Sequence, residues 1–125
     1  MAERERVLKR AVLPDDVLAA VADYFDVDPQ RIRSSSTHRH IVQARDFWAY
    51  VSRKITNHSF PELQRFLGRH EKSHSTVVAA SQRAAQKIAD GQTVIMRNGS
   101  RPAAQAAKEI EAAARWRTVY SGGAA

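Results

Sequence analysis

The chain has no cysteine in its 125 residues. A disulfide framework, a thiol nucleophile and a thiolate metal site are therefore excluded. No uninterrupted apolar run approaches the roughly 20 residues that span a bilayer, and no apolar signal region follows the Arg/Glu-rich start. A soluble, cytoplasmic location is expected. There is no Gly-x-x-x-x-Gly-Lys-Ser/Thr string and no Gly-rich strand-to-helix turn, so nothing in the chain is suited to cradle a nucleotide. Nor does any Ser sit on a Gly-flanked elbow. These absences predict a protein that is not an enzyme and has no cofactor.

What remains is one domain's worth of chain, 43% hydrophobic and 26% charged, a balance that suits a globular fold with a single modest core. Its net charge of +7 is unevenly placed. Residues 12–30 hold five Asp and no base, whereas residues 31–91 hold eleven bases against four acids. A basic middle joined to an acidic element suggests a face meant for a polyanion, with nucleic acid as the default. A merely solvated basic surface is the alternative.

Hydrophobic periodicity gives an all-α reading of five to six helices, including a helix-turn-helix, with a C-terminal helical tail. Val17, Leu18, Val21 and Phe25 recur at helical spacing after Pro14-Asp15-Asp16. Asp28-Pro29 caps a short helix that carries Ile32 inward. Residues 34–40 read as an exposed loop. Ile41, Ala44, Trp48, Val51 and Ile55 then form a stripe over four turns, with Arg39, Arg45, Asp46 and Arg53 on the other side, away from the core. Ser59-Phe60-Pro61-Glu62 is a capping box that opens a helix closed by Gly68. Ser73 caps the next helix, whose inner side is Val77, Val78, Ala80, Ser81, Ala84 and Ile88, while Arg83 faces outward. A hairpin at Asn98-Gly99 is not expected, because no apolar strand follows it. The alanine-rich residues from 103 to 116 have only Ile110 and Trp116 as large apolar groups and read as an appendage. The expected division is a basic arm at 1–11, a core domain at 12–91, and a linker with helical tail at 92–125.

A short helix, a turn and a second helix with small polar residues at its start have the form of a DNA-binding helix-turn-helix. The strings Thr56-Asn57-His58-Ser59-Phe60-Pro61-Glu62-Leu63, Leu67-Gly68-Arg69 and His74-Ser75-Thr76-Val77 resemble the C-terminal DNA-binding domain of the bacterial replication initiator DnaA. The resemblance runs from Leu13 to about Asp90. It implies a recognition helix in the major groove and a basic loop in the minor groove of double-stranded DNA, at an A·T-rich DnaA-box-like site.

Carried over residue by residue, the resemblance places His74, Ser75 and Thr76 against base edges and nearby phosphates, with Ser73, the expected cap, beside them among the DNA-binding residues. Their chemistry fits, since small hydroxyls let a helix start approach the groove and a thymine methyl can rest on imidazole or a threonine methyl. Arg39, Arg45, Arg53, Arg69 and Lys72 supply cations, and Phe60 with Pro61 begins a helix whose amides face phosphate. Two departures stand out. The loop before the long helix has Ser34-Ser35-Ser36-Thr37-His38 where the family has bases, and the turn at Arg69-His70-Glu71-Lys72-Ser73-His74 is three residues longer, with Ser73 in place of an acid. A changed target sequence follows. His70 and His74 are not expected to bind a metal, because a cap at Ser73 leaves His70 in the turn. The expected function is sequence-specific duplex binding without ATPase activity, regulating replication initiation or transcription. The alternative is a protein-interaction module with a solvated basic surface.

Overall fold

Proline in a first turn, followed by carboxylates, starts the first helix where the sequence places it. The computed structural model describes residues 10–68 and 75–124. In helix α1 (Pro14–Phe25) the Leu13 amide donates to Asp16 Oδ2 at 2.9 Å, and Arg10 grips both Asp16 oxygens at 2.7 and 2.8 Å. Burial pushes the Asp16 carboxyl upward, but the Arg10 guanidinium and the Leu13 amide outweigh it and hold the group below the usual carboxylate range. Helix α2 (Pro29–Arg33) is capped by Asp28, which accepts from the Gln30 amide at 2.8 Å, and it buries Ile32 as expected.

Helix α3 (Arg39–Ile55) is the central rod. Ile41, Ala44, Trp48 and Val51 are buried on the stripe that the spacing predicts, and the Trp48 indole donates to the Pro14 carbonyl at 3.2 Å. The opposite side is solvated only toward its ends: Arg39 and Arg53 are exposed, as expected from periodicity, but Arg45 and Asp46 between them are buried. One helix's pattern shows its most apolar stripe. It does not show how many neighbours close over the flanks, and α3 packs against α1, α2, the helices that follow it and the last helix.

Helix α4 (Phe60–Phe66) and helix α5 (Ser75–Ala89) follow, with α5 seated by Val77, Ala80 and Ala84. Strands β1 (Thr93–Met96) and β2 (Gly99–Pro102) then form an antiparallel hairpin with Met96 opposite Gly99, correcting the expectation of no hairpin. The missing apolar partner strand is not needed, because the domain supplies the support. Val94 is fully buried. The Gln43 side-chain amide lies along β1 like a further peptide, donating to the Ile95 carbonyl at 2.9 Å and accepting from the Ile95 amide at 3.3 Å. Gly99, at φ +126°, takes the left-handed conformation that lets the chain turn after Arg97-Asn98.

Helix α6 (Ala103–Ala124) is no appendage. Ala103, Ala106, Ala107, Ile110 and Ala114 are buried in the same core as α1 and α3, whereas Trp116 is 58% exposed. The sequence weighs large apolar residues most heavily, but small side chains at helical spacing are what let two helices approach closely. Tyr24 on α1 donates to Glu109, and Lys54 on α3 pairs with Glu111 at 3.2 Å, so α6 ties the two together.

Candidate nucleic-acid interface

The bend from α3 into α4 is fixed by short-range polar bonds. Thr56 Oγ1 donates back to the Ser52 carbonyl at 2.6 Å and accepts from the His58 amide at 3.3 Å. Ser59 Oγ accepts from the Glu62 amide at 3.3 Å while Glu62 Oε1 accepts from the Ser59 amide at 2.8 Å, a reciprocal capping box. The Ser59 amide, and after it the Ser59 hydroxyl, hold the Glu62 carboxyl below its usual range. Leu63 is buried, and the Phe66 ring stacks on Trp48 with centroids 5.4 Å apart. Gly68, at φ +78°, ends the α4 segment as the sequence predicts.

Helix α5 is held by more than its apolar side. Arg83, expected to face outward, reaches across to Asp46 on α3 with three hydrogen bonds of 2.9–3.3 Å. Asp46 is 3% exposed, so the pair anchors α5 at mid-length. Gln82, Ala85 and Gln86 lie exposed on the open side.

Among the described residues, the expected contacts are spread over α3, the start of α4 and the start of α5. Thr76 is half-buried in the first turn of α5, and Ser75 begins that helix. Arg53 is exposed in the last turn of α3, its guanidinium 5.4 Å from the centroid of the half-buried Phe60 ring, with exposed Pro61 next in sequence. This is a cation-π contact that presents a base beside the start of α4. Arg39 is exposed at the opposite end of α3, about 21 Å away along the helix rise. Arg69, Lys72, Ser73 and His74 lie outside the described residues, as does the Ser75 side chain, and so does the proposed turn between His70 and His74. Among the described residues, no three His, Asp or Glu side chains are gathered to hold a metal ion.

Arg45 corrects the sequence reading most plainly. It does not present its charge outward. Its guanidinium is folded under the loop before α3, where Nε donates to the Ile32 carbonyl at 2.8 Å, Nη1 to Ser36 at 3.0 Å, and Nη2 to Ser34 at 2.7 Å and Arg31 at 3.3 Å. A planar fork satisfying carbonyls from the end of α2 through the loop is a positioning device. Arg33, the last residue of α2, brings its guanidinium to 4.8 Å from the Phe66 ring centroid, linking loop and helix-turn-helix. No sequence signal marks either partnership, because both cross between helices.

No helix among the described residues is long and apolar enough to cross a membrane. The profile of the family described as bacterial dnaA protein helix-turn-helix matches residues 14–84, from the start of α1 into α5. Among curated proteins, the chromosomal replication initiator protein DnaA of Deinococcus deserti is 38% identical over 73 residues, covering 58% of this chain and 15% of that protein. The protein of the same name from Deinococcus radiodurans is 43% identical over 65 residues, covering 52% and 13%, and that of Trichormus variabilis is 34% identical over 80 residues, covering 64% and 17%. The chain thus spans less than a fifth of the length of these relatives. The match takes in α1 to α4 and most of α5, the segment that carries the capped helix and the buried seat of its successor, and the chain belongs to the bacterial DnaA helix-turn-helix family.

Proposed function

We propose that this chain binds duplex DNA sequence-specifically, with the start of α5 in the major groove, and that it regulates replication initiation or transcription by occupying sites. The observation that carries this reading is the rigid seat of the helix-turn-helix. A capping box fixes where α4 begins, while Val77, Ala80, Ala84 and the Arg83–Asp46 pair fix α5, leaving its Gln82–Gln86 side open. A pre-positioned helix start is what base readout requires.

In this reading Ser73, His74, Ser75 and Thr76 face base edges, and Arg39, Arg53, Arg69 and Lys72 face phosphates, with Phe60 and Pro61 at the backbone. Arg45 shapes the loop instead. The preferred site is A·T-rich and related to a DnaA box, shifted in sequence because Ser73 stands where the resemblance expects an acid. No ATP turnover takes part, and in the cell the protein sits on the nucleoid. Selection from a random duplex pool, followed by salt titration, tests this. With about 5–7 phosphates neutralised, the log–log slope of affinity against salt is expected near −5 to −6. Equal affinity for every duplex refutes the specificity, and a partner protein captured without DNA dependence favours the interaction module.

A further inference from the structure

The family match ends at residue 84, so the hairpin lies beyond it. Its position is informative. Helix α3 leads through α4 into α5, and α5 returns along α3, with Arg83 meeting Asp46 near the middle of both. The far end of α5 therefore lies beside the first turns of α3, where Gln43 bonds to Ile95. There Phe25, Asp26, His40 and Gln43 line a cleft of about 380 Å³ together with Ile95, Met96 and Arg97. The loop before α3 ends at this same place, with the His38 and His40 rings 6.1 Å apart. That loop has no Lys or Arg between Arg33 and Arg39, whereas the hairpin carries Arg97 and Arg101 and no acid.

We propose that the hairpin is a second DNA-contacting element, in which Arg97 and Asn98 at its tip engage a backbone phosphate of the duplex flanking the groove entered by α5. The proposal rests on the duplex-binding reading above. The fifteen residues of α5 separate its start from the hairpin by about 22 Å. One turn of B-DNA is about 34 Å, so with α5 laid along its groove, as the proposal has it, the hairpin comes level with the phosphate backbone that bounds that groove. The tip thus places a cation where the Ser-rich loop has none. Arg97 is now paired with Asp26, both well exposed, with side chains 75% and 56% accessible. An exposed pair of this kind contributes little, so a phosphate can take the guanidinium over. The Asp26 carboxylate, with Asp23 and Asp28 near it in sequence, opposes the phosphate.

The test uses the full chain, the duplex obtained by selection, and fluorescence anisotropy across a salt series. Arg97→Gln is expected to bind about 3- to 10-fold more weakly, with the salt slope reduced by about 0.9, the share of one phosphate. Arg97→Lys should restore binding, since a phosphate contact asks for charge and no base is read. Asp26→Asn should tighten binding about twofold or more, by freeing Arg97 and removing a repulsive charge. On a duplex trimmed by about five base pairs on the flank, wild type and Arg97→Gln should bind alike. The proposal is overturned if Arg97→Gln matches wild type on the long duplex, if its loss persists on the trimmed one, or if Asp26→Asn weakens binding as Arg97→Gln does. That last result would make the pair structural. If wild type itself binds no duplex, the duplex-binding reading fails; if wild type binds with a steep slope and Arg97→Gln changes nothing, only the hairpin contact fails.

Discussion

Arg45→Ala separates a phosphate contact from a loop support. Four backbone carbonyls accept from Arg45, at 2.7, 2.8, 3.0 and 3.3 Å, and the residue is 7% exposed. A hydrogen bond to a charged group contributes about 1.5–3 kcal/mol. The four do not add, because the Ser34 carbonyl belongs to an exposed residue and regains water, and the guanidinium's desolvation is recovered. The Ile32 carbonyl, on a fully buried residue, does not rehydrate. A net destabilisation of about 3 kcal/mol is expected, most of it from that orphaned acceptor and the void left by the side chain. In urea, with a slope of about 1–3 kcal/mol/M, the midpoint should fall by about 1–3 M. Arg45→Lys should recover only part of this, since an ammonium cannot reproduce the planar fork. A variant with wild-type stability that has lost DNA affinity would refute the loop-support role and restore Arg45 to the phosphate contacts.

Three further outcomes follow from the packing and the site. Asp16→Asn should lower stability at neutral pH by about 1–2 kcal/mol. Because the folded-state Asp16 carboxyl is depressed, its contribution is present above the ordinary carboxylate range and is lost as pH falls through the folded value, so the variant's acid-unfolding limb should be shallower in a pH-resolved melt. Ala106→Leu, at a site with no exposure, should cost about 1–3 kcal/mol by overpacking, read as a lower thermal midpoint; a neutral result would mean that α6 does not share the core. Thr76→Ala should cost about 1–3 kcal/mol for the selected site and much less for random duplex, compressing the ratio of the two affinities in a competition assay. An unchanged ratio would place the base contacts elsewhere.

Local chemistry made much of this protein legible from its residues alone. Pro14 with Asp16, Asp28 with Pro29, and Ser59 with Glu62 fix helix starts through bonds only two or three residues long, so no knowledge of the fold is needed to see them. The stripe from Ile41 to Val51 likewise belongs to one helix, and the strings around Asn57 and Leu67 carry the family. What the tertiary structure decided involves partners far apart in sequence. Arg45 and Arg83 look like solvated bases until the loop and α3 are placed around them. The hairpin has no apolar second strand to announce it, because Gln43, 52 residues away from Ile95, satisfies its edge. The alanines of α6 are silent in a reading weighted by size, yet their smallness is what lets α6 pack closely in the core shared with α1. Capping and periodicity depend on the nearest few residues, while burial and charge pairing depend on which surfaces meet, and only the folded chain brings those surfaces together.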